Sequence, residues 1–339
     1  MHRLLSCLLL TSFLVSAPLY ADYAWIPNYQ TLFLRFGGEF FTTSENFGAD
    51  GLRTDILYQR GAFANLPLRL NEFRFYVEPE YGFAKNLSLL LKGEFTVARI
   101  GPVSASEPSF GSSNVGNVKG ALKWRIHPKE PILTLEIGFG LPTASNDQSS
   151  LQVDDLLLND GTFDLGLILH TGYRFDDFFV AFSPGLLLRS GGFPSALTVQ
   201  AAAGGRFDSL YGFLFLNSIF SIQTGPLLDS SLSNHDALGG GGSYAKLSGG
   251  ARGIDGGIKV GVNIEKKYAI ELGVTQAFWG SQYPNFTKIG LNFLFVNSFF
   301  KEDKKIRVRG VPFDQEHSRP KKDGDESGAV KKEAIQPEP

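Results

Sequence analysis

The chain has 339 residues, with 30 Phe, 39 Gly, a single Met and a formal net charge of −2. That length suits one extended domain, the Phe and Gly bias favours strands and tight turns over helices, and the near-neutral charge excludes the basic face that nucleic-acid binding needs. The one cysteine, Cys7, sits in the N-terminal apolar run, so the chain beyond it has no disulfide framework, cysteine nucleophile or thiolate metal site.

Residues 1–21 read as a secretory signal peptide: Arg3 precedes an apolar run from Leu4 to Val15, with small residues at Ala17 and Ala21. Cleavage is expected after Ala21, because a cut after Ala17 would place Pro18 just beyond the scissile bond. The run is shorter than the roughly 20 residues of a spanning helix. Cys7 precedes most of that run instead of following it, which argues against lipidation. No later stretch is long and apolar enough for a transmembrane helix.

What recurs instead is a segment of about ten residues in which apolar and polar residues alternate, followed by a turn, as membrane strands require. "TLFLRFGGEFF" opens the series, with Leu32, Leu34, Phe36 and Phe40 opposite Arg35, Gly37 and Glu39. "NEFRFYVEPEYGF" sets Phe73, Phe75, Val77, Pro79, Tyr81 and Phe83 against Glu72, Arg74, Tyr76, Glu78 and Glu80. Pro79 has no N–H and is expected to interrupt its ladder. "LSLLLKGEFTVA" opposes Leu89, Leu91 and Phe95 to Lys92 and Glu94, and "NVKGALKWRI" opposes Leu122, Trp124 and Ile126 to Lys119, Lys123 and Arg125.

"ILTLEIGFGL" carries Glu136 on its polar parity, and "TFDLGLILHTGYRF" carries Asp164, His170 and Arg174. "FFVAFSPGLLLR", "LTVQAAAGGRF", "YGFLFLNSIFSI", "IDGGIKVGVNI", "YAIELGVTQAF" and "FTKIGLNFLFV" complete a set of twelve. The expected fold is therefore all-β, a transmembrane antiparallel up-and-down β-barrel of about 12 strands over residues 22–300, with 10–14 compatible with the uncertainty of strand ends. Short connections ("AKN", "PKEP", "FDD", "FDSL", "EKK") alternate with long or Gly/Ser-rich ones. That asymmetry is the one expected of short periplasmic turns and long outer loops, and it places the protein in the outer membrane of a Gram-negative cell with both termini periplasmic. Residues 301–339 hold ten Lys/Arg and nine Asp/Glu with almost no aromatics. They read as a disordered charged periplasmic tail, open to a periplasmic or cell-wall partner.

Read in succession, "NVGNVKGALKWRI", "LEIGFGLPTASND" and "DGTFDLGLILHTGYRF" resemble bacterial outer-membrane proteins grouped as transporters of the MetA pathway of phenol degradation, distantly akin to FadL-like fatty-acid channels. The likeness covers mainly Asn114 to Phe175. In that family a Gly-Asn or Gly-Asp step opens a strand, as Gly116-Asn117 does here, and the next strand ends in a Leu-Pro-Thr-Gly corner, here Leu141 to Ala144. The resemblance implies an exported barrel that passes small apolar or aromatic compounds, and it supplies no catalytic residues. Two departures are visible: the tail follows Phe299 and Phe300, where such barrels end on an aromatic, and "DYAWIPNYQ" is too short for the plug domain of fatty-acid channels.

Candidate site residues follow from parity. Arg35, Glu39, Glu72, Arg74, Glu78, Glu80, Lys92, Glu94, Lys119, Lys123, Arg125, Glu136, His170 and Arg174 are expected to form a pore-lining network of opposite charges, since buried charge persists only when paired. Glu78 and Glu80 also admit an acid/base reading, but cationic positions on neighbouring strands favour the network. Phe179, Phe213 and Phe215 are candidates for an inward apolar patch able to hold a solute, provided the register is not slipped by one residue. No Ser, His and carboxylate set can be read from the sequence. The scattered histidines lack metal-ligand spacing, "VDDLLLNDGTFD" breaks the step of a calcium loop, and "GGGGSYAK" lacks P-loop order. Neither a metal nor a cofactor is expected.

The leading reading is a non-enzymatic outer-membrane barrel surrounded by lipid, a passive channel for small hydrophobic or aromatic molecules. A closed structural barrel acting through its outer loops and tail is the main rival, followed by an outer-membrane enzyme and a secreted soluble β-sandwich.

Overall fold

A strand that alternates apolar and polar residues needs a partner on each edge, and twelve of them satisfy one another by closing. In this computed structural model the described residues are 24–48, 50–55, 67–103, 110–116, 118–141, 143, 163–190, 194–222, 252–265, 267–281 and 283–298. They contain strands and turns and no helix. The signal peptide expected over 1–21, the tail expected over 301–339 and most of the acidic loop before Asp164 lie outside them.

The elements are β1 (Thr31–Phe47), β2 (Arg53–Asp55), β3 (Leu68–Ala84), β4 (Leu87–Pro102), β5 (Phe110–Val115), β6 (Val118–His127), β7 (Ile132–Leu141), β8 (Asp164–Phe175), β9 (Phe178–Arg189), β10 (Ala196–Phe207), β11 (Leu210–Ser221), β12 (Arg252–Ile264), β13 (Tyr268–Ser281) and β14 (Tyr283–Ser298). Each long strand pairs antiparallel with its chain neighbour, and β14 returns to β1 from Thr31–Ser298 to Phe47–Tyr283, with a one-residue shift between Thr43 and Glu45. The result is a closed barrel of twelve antiparallel strands, which leaves no edge to satisfy in lipid.

Two short strands have no counterpart in the sequence pattern. β2 extends a hairpin from the end of β1, and β5 pairs with β4 just beyond β6. The register steps by one residue between the Phe95–Val115 and Lys92–Lys119 pairs, so β5 and β6 run along the same edge of β4 with a one-residue offset.

The outer face is predominantly apolar, with exposed arginines such as Arg69 and Arg99 confined to the end away from the short turns. Phe73, Phe75, Val77 and Phe83 of β3, Leu122, Trp124 and Ile126 of β6, and Leu165, Leu167 and Leu169 of β8 are all exposed. Phe73 and Phe83 are ten residues apart, about 33 Å along a strand; at a tilt near 40° that gives a band about 25 Å tall, the height of an outer-membrane hydrocarbon zone. Near the short turns, exposed rings gather in ladders: Tyr173 on Phe175, Phe175 on Phe178 and Tyr268 on Phe295, with centroids 6.2, 5.8 and 5.3 Å apart. Such a belt suits the interface, where a ring meets both headgroup and chain.

Five tight turns join β3–β4, β6–β7, β8–β9, β10–β11 and β12–β13, at the same rim where the barrel's first and last strands begin and end. Asp176, Asp208 and Glu265 take positive φ there, which Asp tolerates better than most residues. The opposite rim carries the long connections, with one exception: β13 and β14 are separated by a single residue.

Two of the prolines within strands, Pro79 and Pro184, leave matching marks. The β3–β4 ladder lapses beside Pro79, between the Val77–Gly93 and Glu80–Leu90 pairs. The β8–β9 ladder lapses beside Pro184, between Ile168–Gly185 and Thr171–Phe182. Neither lapse changes the register, so the missing N–H costs pairing without shifting a side chain to the other face.

Candidate functional site

Alternation that puts hydrocarbon outside puts the remaining parity inside, and there the sequence has charges and tyrosines. At the short-turn rim, the stretch before β1 folds back into the barrel. Ala24, Trp25, Ile26 and Pro27 are buried. Thr134 Oγ1 donates to the Ala24 carbonyl at 2.6 Å, Arg125 Nη2 donates to the Ile26 carbonyl at 2.9 Å, and Gln30 N–H donates to the Gly82 carbonyl at 2.6 Å. A methyl group on Gly82 would overlap the carbonyls of Pro27 and Asn28, so the wall must lack a side chain where the segment crosses it.

Trp25 is the anchor. Its ring meets Phe179 edge-to-face at 5.7 Å, and the Arg174 guanidinium lies 5.3 Å from its centroid, a cation–π contact. Ile132, Ala181, Tyr211 and Phe213 complete the cluster. Residues 24–27 thus lie inside this end of the barrel, packed against its wall.

Above this floor runs a polar chain that crosses six strands. Ser88 Oγ donates to Glu80 Oε1 at 2.6 Å, Lys123 Nζ donates to Glu80 Oε2 at 3.2 Å and lies 3.8 Å from Glu136 Oε2. His170 Nε2 lies 3.1 Å from Glu136 Oε2, and His170 Nδ1 lies 2.9 Å from Ser183 Oγ. The last contact spans the gap in the β8–β9 ladder left by Pro184. Ser88, Lys123, His170 and Ser183 are all at most 3% exposed, so each polar atom must find its partner within the wall.

Ser183, His170 and Glu136 therefore meet, a set that sequence reading did not assemble. A nucleophile must be reached by its substrate, and Ser183 is 0% exposed. The contacts suit a structural link between strands better than a hydrolytic centre.

Higher in the barrel the inward charges keep accessible surface. Lys92, Lys259 and Lys288 side chains are 26, 25 and 32% accessible, against 3% for Lys123, and Lys119 is exposed. Their partners are Glu94 at 3.7 Å, Glu271 at 3.4 Å and Glu39 at 3.5 Å. Arg35 Nη1 donates to Glu78 Oε1 at 2.7 Å, and Arg74 pairs with Glu72. The fourteen charged or histidine positions named from the sequence thus all fall on the inward parity: Arg125 and Arg174 against the floor, others in a buried layer around Lys123, and others in an upper chamber around Lys92 and Lys119 that keeps accessible surface.

Phe179, Phe213 and Phe215 share the inward parity too. Phe213 lies 5.9 Å from Phe179 and 6.3 Å from Phe215, and Lys259 sits 5.6 and 5.8 Å from the Phe213 and Phe215 centroids. Phe179 and Phe213 belong to the buried floor cluster, and half-buried Phe215 continues it up β11 beside Lys259.

Sequence reading missed Trp25, Tyr76, Tyr211, Lys259, Glu271, Lys288 and Asn292. Tyr76 OH donates to Asn292 Oδ1 at 2.6 Å, Asn292 Nδ2 donates to Glu271 Oε1 at 2.8 Å, and Tyr211 OH reaches Glu271 Oε2 at 3.5 Å. The Tyr76 ring occupies the space where a side chain on Gly37 would stand. The alternation of β12–β14 already carried the signal for Lys259, Glu271, Lys288 and Asn292. Trp25 precedes the first strand and has no periodicity to betray it.

A closed antiparallel barrel with an apolar exterior and a charged interior defines the outer-membrane barrel class by fold. A solved outer membrane channel from Pseudomonas putida F1 has the same fold, with a TM-score of 0.56 at 12% identity over 83% of this chain and 100% of that one. The translocator domain of the Neisseria meningitidis autotransporter NalP (TM-score 0.43, 9% identity, 79% and 89% covered) and the CymD monoaromatic hydrocarbon channel (0.40, 10%, 80% and 90%) are more distant in shape. No protein-family model and no curated protein sequence matches the chain.

Proposed function

We propose that this protein is an outer-membrane channel that passes small, partly apolar molecules passively, as the resemblance to MetA-pathway transporters implies. It is exported through the signal peptide at 1–21 and sits with both termini and the short turns in the periplasm. The observation that carries this reading is the accessible upper chamber: inward lysines keep accessible surface, and one of them, Lys259, lies beside the half-buried Phe215 ring, a mixed lining suited to a solute with polar and apolar parts. The Pseudomonas putida neighbour is described as a channel, which agrees in kind. Residues 24–27 then serve as a resident constriction at the periplasmic mouth.

The buried floor favours a second reading, a barrel that is closed and works through its outer loops and its tail. Liposome swelling with purified protein separates the two. A channel admits small sugars, amino acids and aromatic solutes above the rate of empty vesicles; a closed barrel admits none.

A further inference from the structure

We propose that the chamber holds a binding site for a small organic carboxylate, with Lys92 and Lys119 as its anion-binding pair. The two lysines are direct cross-strand partners on β4 and β6, an arrangement of like charges that ordinarily destabilises a sheet. Lys92 Nζ lies 3.7 Å from Glu94 Oε2 and 4.4 Å from the Tyr76 ring centroid. Among the described residues no carboxylate lies within 4.0 Å of Lys119.

The charges that reach Lys119 are Glu94, Lys92, Arg74 and Asp164. Arg74 is engaged by Glu72, and Asp164 by Arg189 at 3.0 Å. Glu39 also acts on Lys92 but lies 3.5 Å from Lys288 Nζ, so among the described residues Glu94 is the carboxylate left to the two ammonium groups, and the pair carries an excess of positive charge. A single carboxylate between the two Nζ atoms offsets it, by charge-assisted hydrogen bonds from both.

The body of the ligand follows from the rest of the chamber. The Tyr76 ring, 4.4 Å from Lys92 Nζ, offers an aromatic surface directly beside the lysine pair. A carboxylate with an aromatic or short apolar body fits this lining. The inference deepens the channel reading by naming its solute class, but the site itself requires no flux.

Equilibrium binding to the folded, detergent-purified barrel tests it, by calorimetry with benzoate, with benzyl alcohol as the uncharged counterpart. Benzoate is expected to bind, and Lys92→Met with Lys119→Met to weaken it about tenfold, the scale of a lost hydrogen bond to a charged group, while benzyl alcohol is unaffected. Lys92→Arg with Lys119→Arg retains binding. Folding of each variant is checked by heat-dependent migration on a denaturing gel, and should the double Met variant not fold, Lys119→Gln alone serves. Benzoate bound equally by wild type and the lysine variants, or no better than benzyl alcohol, overturns the site. Binding without solute flux in liposomes would instead sink the channel reading and leave the site standing.

Discussion

Lys123 is the cation on which the lower polar layer depends. Replacing it with Met keeps most of the stem and removes the charge lying 3.2 Å from Glu80 and 3.8 Å from Glu136. At an effective dielectric constant of about 20 each contact has a Coulomb energy of about 4–5 kcal/mol before desolvation is subtracted. Among the described residues Glu80 keeps the Ser88 hydroxyl, and Glu136 keeps His170. Removing one partner from a buried pair costs about 3–5 kcal/mol, because the other charge stays buried without compensation. Lys123→Met is therefore expected to lose about 4 kcal/mol in urea titrations of the barrel folded in vesicles. Adding Glu80→Gln removes the stranded charge and restores more than half of the loss, a coupling that the double-mutant cycle reads directly. A single variant within about 0.5 kcal/mol of wild type, the range of ordinary surface substitutions, would refute the claim that this layer is buried and mutually dependent.

Three further outcomes are expected. Leu167→Arg places a guanidinium on the exposed outer face of β8 and should cost about 2–4 kcal/mol in the same titration if that position lies near the bilayer midplane; no loss would mean that the faces are reversed. Gly82→Val drives a side chain into the Pro27 and Asn28 carbonyls, and should raise conductance in planar bilayers by displacing the N-terminal segment while heat-dependent migration stays intact. Gly37→Ala intrudes on the Tyr76 ring and should cost about 1–3 kcal/mol through the bond to Asn292, with a smaller loss when Tyr76→Phe is already present.

The fold was legible because its signal is physical at every strand. Each outward parity had to meet hydrocarbon, so Phe73, Phe75 and Val77 announce a face that no soluble contact is needed to explain, and the twelve segments close as a barrel with strand ends shifted by a few residues. β2 and β5 escaped notice because hairpin extensions beyond the bilayer need not alternate. The one-residue offset between β5 and β6 could not be read from the sequence, because it exists only relative to β4. Inward positions could be named from parity alone, yet parity says nothing about partners across strands. Ser183 and His170 meet because Pro184 opens the ladder between β8 and β9, and Trp25 reaches Phe179 because the chain turns back before β1; both depend on three-dimensional proximity.

Single-channel recording in planar bilayers, comparing wild type with a variant lacking residues 22–28, tests the central claim most directly. The account predicts that wild type conducts and that the deletion conducts more, because the segment that holds Trp25 against Phe179 and Arg174 narrows the mouth. Silence from both proteins, each verified as folded and inserted, would contradict it and leave the closed barrel in its place.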